Sequence, residues 1–235
     1  MIPYLPPAGS YRYSLKEGMR GHEVYALQVL LNQLTTGATQ LVEDGVFGSF
    51  TASKVRGMQK TDRLVIDGVA GPATQKALAR RALKKLAKSP LGYIPVGLME
   101  GLIVGESGYI IGCVNDSISG GIDAGLIQDR VYTGEYQSIT RWRVAFGYES
   151  ILAAAGDIVA FYEKARATKR FTDRRCWELA VLNHNWPWGA DQLLRGNKLS
   201  TADATWVINI GVKGVTTPAQ WAEFYIAMTT TLVVW

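Results

Sequence analysis

An internal repeat near the N-terminus restricts the fold of this chain more than any other feature. The segments DGVFGSFT (44–51) and DGVAGPAT (67–74) share the pattern D-G-V-x-G-x-x-T and lie 23 residues apart. Asp-Gly favours a tight turn, because glycine accepts a positive φ and aspartate bonds to its own backbone. A helical pattern follows each segment, and Pro72 suits a first helical position. The repeat therefore predicts two similar turns, each opening a helix.

A third helix is predicted before the repeat. The segment GHEVYALQVLLNQL (21–34) places Val24, Leu27, Leu30, Leu31 and Leu34 on one face. From Leu15 to about Leu78, this three-helix stretch resembles the peptidoglycan-binding type 1 family. The resemblance implies a compact bundle that holds cell-wall polymer without cleaving it. We expect Asp44, Gly45, Asp67 and Gly68 to form turns rather than ligand contacts, and Phe47 to lie in the core.

Composition and charge point to two globular parts. The chain of 235 residues is 48% hydrophobic and 19% charged, which excludes a disordered chain. Residues 1–90 carry a net charge of +7 and residues 91–235 a net charge of −2, and all seven tryptophans follow residue 90. We predict a peptidoglycan-binding domain at 1–85, a linker at 86–94 and a second domain at 95–235. The basic first part favours an anionic partner.

The second part is predicted to be mainly helical, with room for a small β-hairpin in the glycine-rich region CVNDSISGGIDAGLIQDRVYTGEY. Cys113 and Cys176 lack metal-ligand spacing and are expected to be small buried residues, with a disulfide left open. Two histidines, His22 and His184, are too few for a multi-histidine metal site. We predict no metal and no cofactor.

Two glutamates stand out in LMEGLIVGESG (98–108). On a helix, Glu100 and Glu106 would lie about 120° apart around the axis, so they cannot share one site. Glu106 ends the helical pattern, where a partly desolvated carboxyl would have a raised pKa and could act as a general acid. The alternative for each glutamate is a solvated charge, and spacing alone does not decide between them.

Four motifs in order resemble lytic transglycosylases and goose-type lysozymes: GLIVGESGY, GGIDAGLIQ, ELAVLNHNWPWGADQLLRG and WAEFYIAM, over roughly residues 95–228. The resemblance implies a lysozyme-like catalytic domain. It makes Glu106 the general acid/base and Tyr225 the tyrosine that hydrogen-bonds the catalytic carboxyl. Substrate contacts would come from Ser107, Gln128 and Asn183, with His184 as a substitute donor. Leu182 stands where the family has tyrosine.

The same resemblance implies a peptidoglycan glycosidase. It would cleave the β-1,4 bond between N-acetylmuramic acid and N-acetylglucosamine, and the product, hydrolysed or 1,6-anhydro, stays open. One glutamate suffices in that family because the N-acetyl group of the substrate attacks the anomeric carbon. A two-carboxylate mechanism would draw on Asp116 or Asp123, and for Asp123 a turn role competes.

The order of binding part and catalytic part, with no visible signal peptide or membrane span, resembles a phage endolysin. We expect a monomer made in the host cytoplasm that acts on the wall in the periplasm after release, without nucleic acid or stable membrane insertion. The alternatives are a virion-associated lysin or bacterial autolysin with the same chemistry, a non-catalytic wall-binding structural protein, and nucleic-acid binding through residues 1–90.

Overall fold

The computed structural model describes residues 14–36, 40–116, 121–185 and 187–197. Their contacts divide the chain into two compact units. The first unit comprises the described residues of 1–88 and 106–152, and the second those of 89–105 and 153–235. This division differs from the segments predicted from the sequence, 1–85, 86–94 and 95–235, which stay a prediction.

The first unit begins with three helices, α1 (His22–Leu34), α2 (Ser49–Thr61) and α3 (Pro72–Leu86). The two D-G-V segments form the connections that open α2 and α3, as the repeat predicts. Gly45 and Gly68 have φ angles of 70° and 76°, a region that disfavours side chains with a Cβ. Pro72 is the first residue of α3. Phe47 is buried, as predicted.

Helix α1 is buried on more sides than its sequence pattern indicates. Of the predicted face, Val24, Leu27, Leu30 and Leu31 are fully buried and Leu34 is half-buried, and the opposite side is buried as well. That second side packs into one core with a small sheet and helix α5 (Ile139–Phe146). The members of this core are Tyr25, Ala26 and Val29 of α1, Val114, Ala124 and Val131 of the sheet, and Trp142, Ala145 and Phe146 of α5.

The sheet has three antiparallel strands in the order β1 (Val114–Asp116), β2 (Gly121–Ala124) and β3 (Asp129–Tyr132). A short 3-10 helix (Thr133–Glu135) leads toward α5. The predicted hairpin is therefore extended by one strand. Helix α5 was not predicted, because eight residues give too short a run for helical periodicity to stand out.

The second unit contains most of α4 (Val96–Ser107) and α6 (Tyr148–Ala167), followed by α7 (Asp173–Asn185) and α8 (Pro187–Arg195). The rings of Tyr162 on α6 and Trp177 on α7 stack with centroids 3.7 Å apart. Eight α-helices and three short strands over the described residues confirm the predicted mainly α class. The lysozyme-like character of the later helices stays a prediction.

Both cysteines are buried, as expected, and the disulfide that the sequence left open is not formed: Cys113 and Cys176 are free thiols. Over the described ranges, no single helix is long and apolar enough to cross a membrane. Helices α5 and α6 together reach that length and hydrophobicity, but they are bent by 66° where they join. The predicted terminal helix lies outside the described residues.

Candidate functional sites

The first D-G-V turn is held by a buried glutamine of α1. The side-chain amide of Gln28 donates to Asp44 Oδ1 at 2.9 Å and to the Val46 carbonyl at 3.1 Å. Its Oε1 accepts a 2.8 Å hydrogen bond from the Gly45 N–H. Gln28 also donates to Thr51 Oγ1, the threonine that closes the repeated motif. One buried side chain therefore hydrogen-bonds to three consecutive residues of the turn, Asp44, Gly45 and Val46.

The second turn repeats this arrangement with a glutamine of α2. Gln59 donates to Asp67 Oδ1 at 2.8 Å, to the Val69 carbonyl at 3.0 Å and to Thr74 Oγ1 at 3.1 Å. The Gly68 N–H donates to Gln59 Oε1 at 2.9 Å. The aspartates and glycines of the repeat thus have turn-forming roles, as predicted. Sequence analysis missed the glutamines, because they lie 16 and 8 residues before their aspartates and follow no common spacing.

The Asp67 carboxylate is held in its charged form by this network. Hydrogen bonds from the Val69 N–H and from Gln59 lower the pKa of Asp67 below its ordinary value of 3.8. A carboxylate that accepts hydrogen bonds from the backbone is more stable ionised than protonated. The second turn is therefore built around a negative charge.

Glu106 and Ser107 form the C-terminal end of α4. Glu106 is half-buried, and Ser107 is buried, with its Oγ donating to the Leu126 carbonyl at 3.1 Å. Leu126 belongs to the turn between β2 and β3, so the two motifs ESG and G-L-x-Q meet in the first unit. The Ser107 side chain thereby anchors the β2–β3 turn by a hydrogen bond to the backbone carbonyl of Leu126.

Gln128 completes a polar cluster around Cys113. Its side-chain amide donates to the Gly125 carbonyl at 2.8 Å, and its Oε1 accepts from Asn115 Nδ2. Burial raises the pKa of the Cys113 thiol, hydrogen bonds with Asn115 and Gln128 lower it in part, and the negative charge of Glu106 raises it. Asn115 and Gln128 are therefore the side chains that contact this thiol, and Glu106 acts on it through its charge alone. Sequence analysis did not identify Asn115. In extended backbone, residues two apart lie on the same face, and the Asn115 side chain lies 3.6 Å from Cys113 Sγ.

The two aspartates considered for a second carboxylate role differ. Asp123 lies in β2 rather than in a turn, directly opposite Arg130 of β3, and its Oδ1 is 2.9 Å from Arg130 Nε. Its charge is therefore paired across the sheet. Asp116 is the last residue of β1, and its side chain lies outside the described atoms.

A small recess adjoins the end of α4 in the first unit. It has a volume of about 240 Å³ and is lined by Gly108, Tyr109 and Ile110 together with the start of α3. Tyr109 adopts a left-handed φ of 69°, and Lys76 Nζ lies 5.0 Å from the centre of its ring. The segment that follows Glu106 therefore carries an aromatic ring, Tyr109, with the Lys76 ammonium over its face.

Asn183 and His184 belong to the second unit. Both are half-buried near the end of α7 and line a recess of about 390 Å³ that also contains Asp157 and Lys164. Tyr225 lies outside the described residues. The predicted site residues are thus grouped as Glu106, Ser107 and Gln128 in one unit and Asn183 and His184 in the other. Over the described ranges, no three His, Cys, Asp or Glu side chains come together as a metal-ligand set.

Comparison with known proteins bears on the three-helix part. Residues 20–78 match the family described as "Putative peptidoglycan binding domain". The chain is 37% identical over 78 residues to N-acetylmuramoyl-L-alanine amidase CwlL of Bacillus licheniformis, which is 33% of this chain and 22% of the relative. A protein of the same species named "Probable N-acetylmuramoyl-L-alanine amidase" is 33% identical over 86 residues, 37% of this chain and 24% of the relative. The chain thus spans about a quarter of the length of these curated relatives.

These matches confirm the predicted peptidoglycan-binding module and correct the predicted chemistry. The prediction that the chain cleaves the β-1,4 bond between N-acetylmuramic acid and N-acetylglucosamine is wrong, because both relatives are named as amidases. Their names specify an amide bond between an N-acetylmuramoyl group and L-alanine. Cleavage of that bond involves no anomeric carbon, so the mechanism of neighbouring N-acetyl attack does not apply to it.

Proposed function

We propose that this chain is an enzyme that acts on bacterial peptidoglycan and is held on the polymer by the module at residues 20–78. The observation that carries the proposal is the family match over those residues, whose two turns are built alike around Gln28 and Gln59. The net charge of +7 over residues 1–90 adds attraction to an anionic cell wall. Tethering raises the local concentration of the enzyme on an insoluble polymer.

The names of the relatives support wall-degrading activity and make the amide bond between N-acetylmuramic acid and L-alanine the first bond to assay. Within the proposal, Glu106 is the candidate general acid/base. It is a half-buried carboxyl at the C-terminal end of α4, next to Ser107, which bonds to the Leu126 carbonyl in the turn that leads to Gln128. Ser107, Gln128, Asn183, His184 and Tyr225 are the candidate substrate-positioning residues.

The test is digestion of purified peptidoglycan by the full chain, followed by mass spectrometry and labelling of newly exposed amino groups. We expect soluble fragments with free L-alanine amino termini. Glu106→Gln should slow their release by about 10²- to 10⁴-fold. Glu100→Gln, a half-buried glutamate of the same helix, is the matched control and should retain activity. No release by the wild-type chain would contradict an enzymatic role, and equal activity of both variants would contradict the role of Glu106.

The biological setting is also a proposal. We propose that the chain is a phage lysin made in the cytoplasm of the host, which reaches the wall after the membrane is opened. Expression in a bacterial host together with a membrane-permeabilising protein should then clear the culture, whereas expression of either protein alone should not. Clearing that is independent of the chain would contradict this setting.

A further inference from the structure

A basic groove lies in the three-helix part of the first unit. It has a volume of about 540 Å³ and extends between the end of α2 and one side of α3. Five cations line it against a single carboxylate, and these cations are Arg63, Lys76, Arg80, Arg81 and Lys84. The carboxylate is Asp62, which accepts two 2.8 Å hydrogen bonds from Arg81. The lining therefore carries a net positive charge.

The charges of Arg63 and Lys84 are not paired with a carboxylate within the described residues. Both side chains are exposed, and neither takes part in a salt bridge there. Lys76 is half-buried, and its Nζ lies 5.0 Å from the centre of the Tyr109 ring, a contact that brings no negative charge. These three cations are the ones that the groove offers to an anionic ligand.

Arg63 occupies a position at which glycine is the favoured residue. The Leu64 N–H donates to the Gln59 carbonyl at 2.9 Å, which closes the end of α2. The Arg63 N–H donates to the Lys60 carbonyl at 3.3 Å. These two bonds form a Schellman motif, in which Arg63 takes a left-handed φ of 57°. A residue with a Cβ is less stable than glycine at this φ, so the fold gives up stability where it places this guanidinium at the groove.

Two exposed aliphatic side chains adjoin the groove. Leu64 belongs to its lining, and the next two residues, Val65 and Ile66, are 79% and 54% exposed. They lie within about 7 Å of Leu64 along the backbone. The Asp67 carboxylate, which follows them, accepts hydrogen bonds inside the second D-G-V turn, one of them from Gln59. The groove therefore has cations on its walls and an apolar pair beside it.

We propose that this face of the module docks on an anionic lipid surface. Phosphate groups of the lipids would accept hydrogen bonds from Arg63, Lys76 and Lys84. Val65 and Ile66 would enter the boundary between headgroups and acyl chains, a mode of peripheral binding that needs no membrane-spanning segment. This is a second binding activity, which adds to the proposed retention on peptidoglycan and does not depend on it.

The apolar pair favours a lipid surface over an anionic polymer. A polymer in water attracts cations, but it offers no apolar phase in which Val65 and Ile66 could leave water. A lipid surface rewards both features, because burial of aliphatic side chains adds to the attraction between phosphates and cations. Salt screens the attraction between charges and leaves the apolar contribution in place. The two contributions can therefore be measured separately.

The test is co-sedimentation of the full chain with lipid vesicles at low and high salt. One set of vesicles contains phosphatidylcholine and phosphatidylglycerol in equal parts, and the other contains phosphatidylcholine alone. We expect binding to the anionic set only, weaker at high salt but not abolished. Lys84→Gln should weaken this binding by about fivefold. Wild-type protein that binds neither set, or both sets equally, would overturn the proposal and leave the proposed function standing.

Arg63→Gly separates lipid binding from folding. Its matched control is Lys169→Gly in the second unit, because Lys169 is also an exposed cation two residues after a helix, with a left-handed φ of 56°. Either change should raise the unfolding temperature or leave it unchanged, since glycine favours this φ. Only Arg63→Gly should weaken vesicle binding, by about fivefold. Equal vesicle binding of the two variants would overturn the role of the groove.

Val65→Ser combined with Ile66→Ser tests the apolar contribution. The double variant should bind anionic vesicles at least about tenfold more weakly at high salt. Val42→Ser is the control, because Val42 is 75% exposed and lies outside the groove. Sedimentation with purified peptidoglycan should be the same for all these variants and the wild type. Loss of peptidoglycan binding with unchanged vesicle binding would assign the groove to the polymer and overturn the lipid surface.

Discussion

Gln59 and Asp67 are joined by a 2.8 Å hydrogen bond, and the equivalent bond between Gln28 and Asp44 measures 2.9 Å. The duplicated sequence motif is therefore also a duplicated network, in which a helix glutamine holds the following turn. A buried amide that donates and accepts at once fixes the turn in one conformation, because any other arrangement would leave polar groups without hydrogen bonds.

Gln59→Ala should destabilise the first unit by about 3 kcal/mol, because it leaves the buried Gly68 N–H without its acceptor. The free energy of unfolding is measured by urea titration with circular dichroism. Gln137→Ala, at an exposed glutamine, is the control and should change stability by less than about 0.5 kcal/mol. Equal stability of the two variants would contradict the role given to the glutamine.

Asp67 should make the fold sensitive to acid. Its folded-state pKa lies below 3.8, so its contribution to stability is present above that value and is lost as the pH falls through it toward the folded-state pKa. The urea midpoint of the wild type should therefore fall between about pH 5 and pH 3. Asp67→Asn should show a smaller fall over that window. An unchanged acid dependence in this variant would show that other carboxylates cause it.

Tyr25→Phe should leave stability unchanged or raise it by about 1 kcal/mol. The Tyr25 side chain is only 2% exposed, and its hydroxyl has no hydrogen-bond partner within the described residues. Burial, together with the negative charge of Glu43, raises the pKa of this hydroxyl to about 12. Removing an unsatisfied buried polar group relieves its desolvation. Tyr93→Phe, at an exposed tyrosine, gives the baseline, and a loss above about 1 kcal/mol at Tyr25 would reveal a partner such as a buried water.

Removing residues 1–88 should unfold residues 106–152 rather than release an intact second domain. Those residues share one core with Tyr25 and Val29 of α1, and His22 Nε2 lies 3.0 Å from the Gly112 carbonyl. Hydrogen exchange should show strands β1–β3 protected in the full chain and unprotected in the truncated one. Equal protection in both would support the sequence-predicted boundary at residues 86–94.

Local patterns allowed much of the fold to be predicted. The D-G-V repeat located the turns, and periodic apolar positions located most helices to within a few residues. The packing of residues 106–152 on α1 could not be predicted, since it depends on contacts such as Arg143 Nε to Glu43 Oε2 at 2.8 Å, which join positions 100 residues apart. No local pattern records such a contact.

The candidate site was predictable only in part for a related reason. The motifs identified Glu106, Ser107 and Gln128: Gln128 lies in the Cys113 cluster, and Ser107, next to Glu106, bonds to Leu126 in the adjoining turn. They did not identify Asn115, whose role depends on strand geometry. They also led to the wrong prediction of the bond that is cleaved, because a short motif around one carboxyl does not specify which substrate atom that carboxyl faces.

The most direct test of the central claim is a binding isotherm of the full chain on purified bacterial peptidoglycan, with chitin as the matched insoluble polysaccharide. The account predicts saturable binding to peptidoglycan that a soluble muramoyl dipeptide displaces, and no binding to chitin. Equal retention on both polymers, or recovery of the whole chain in the supernatant, would contradict it.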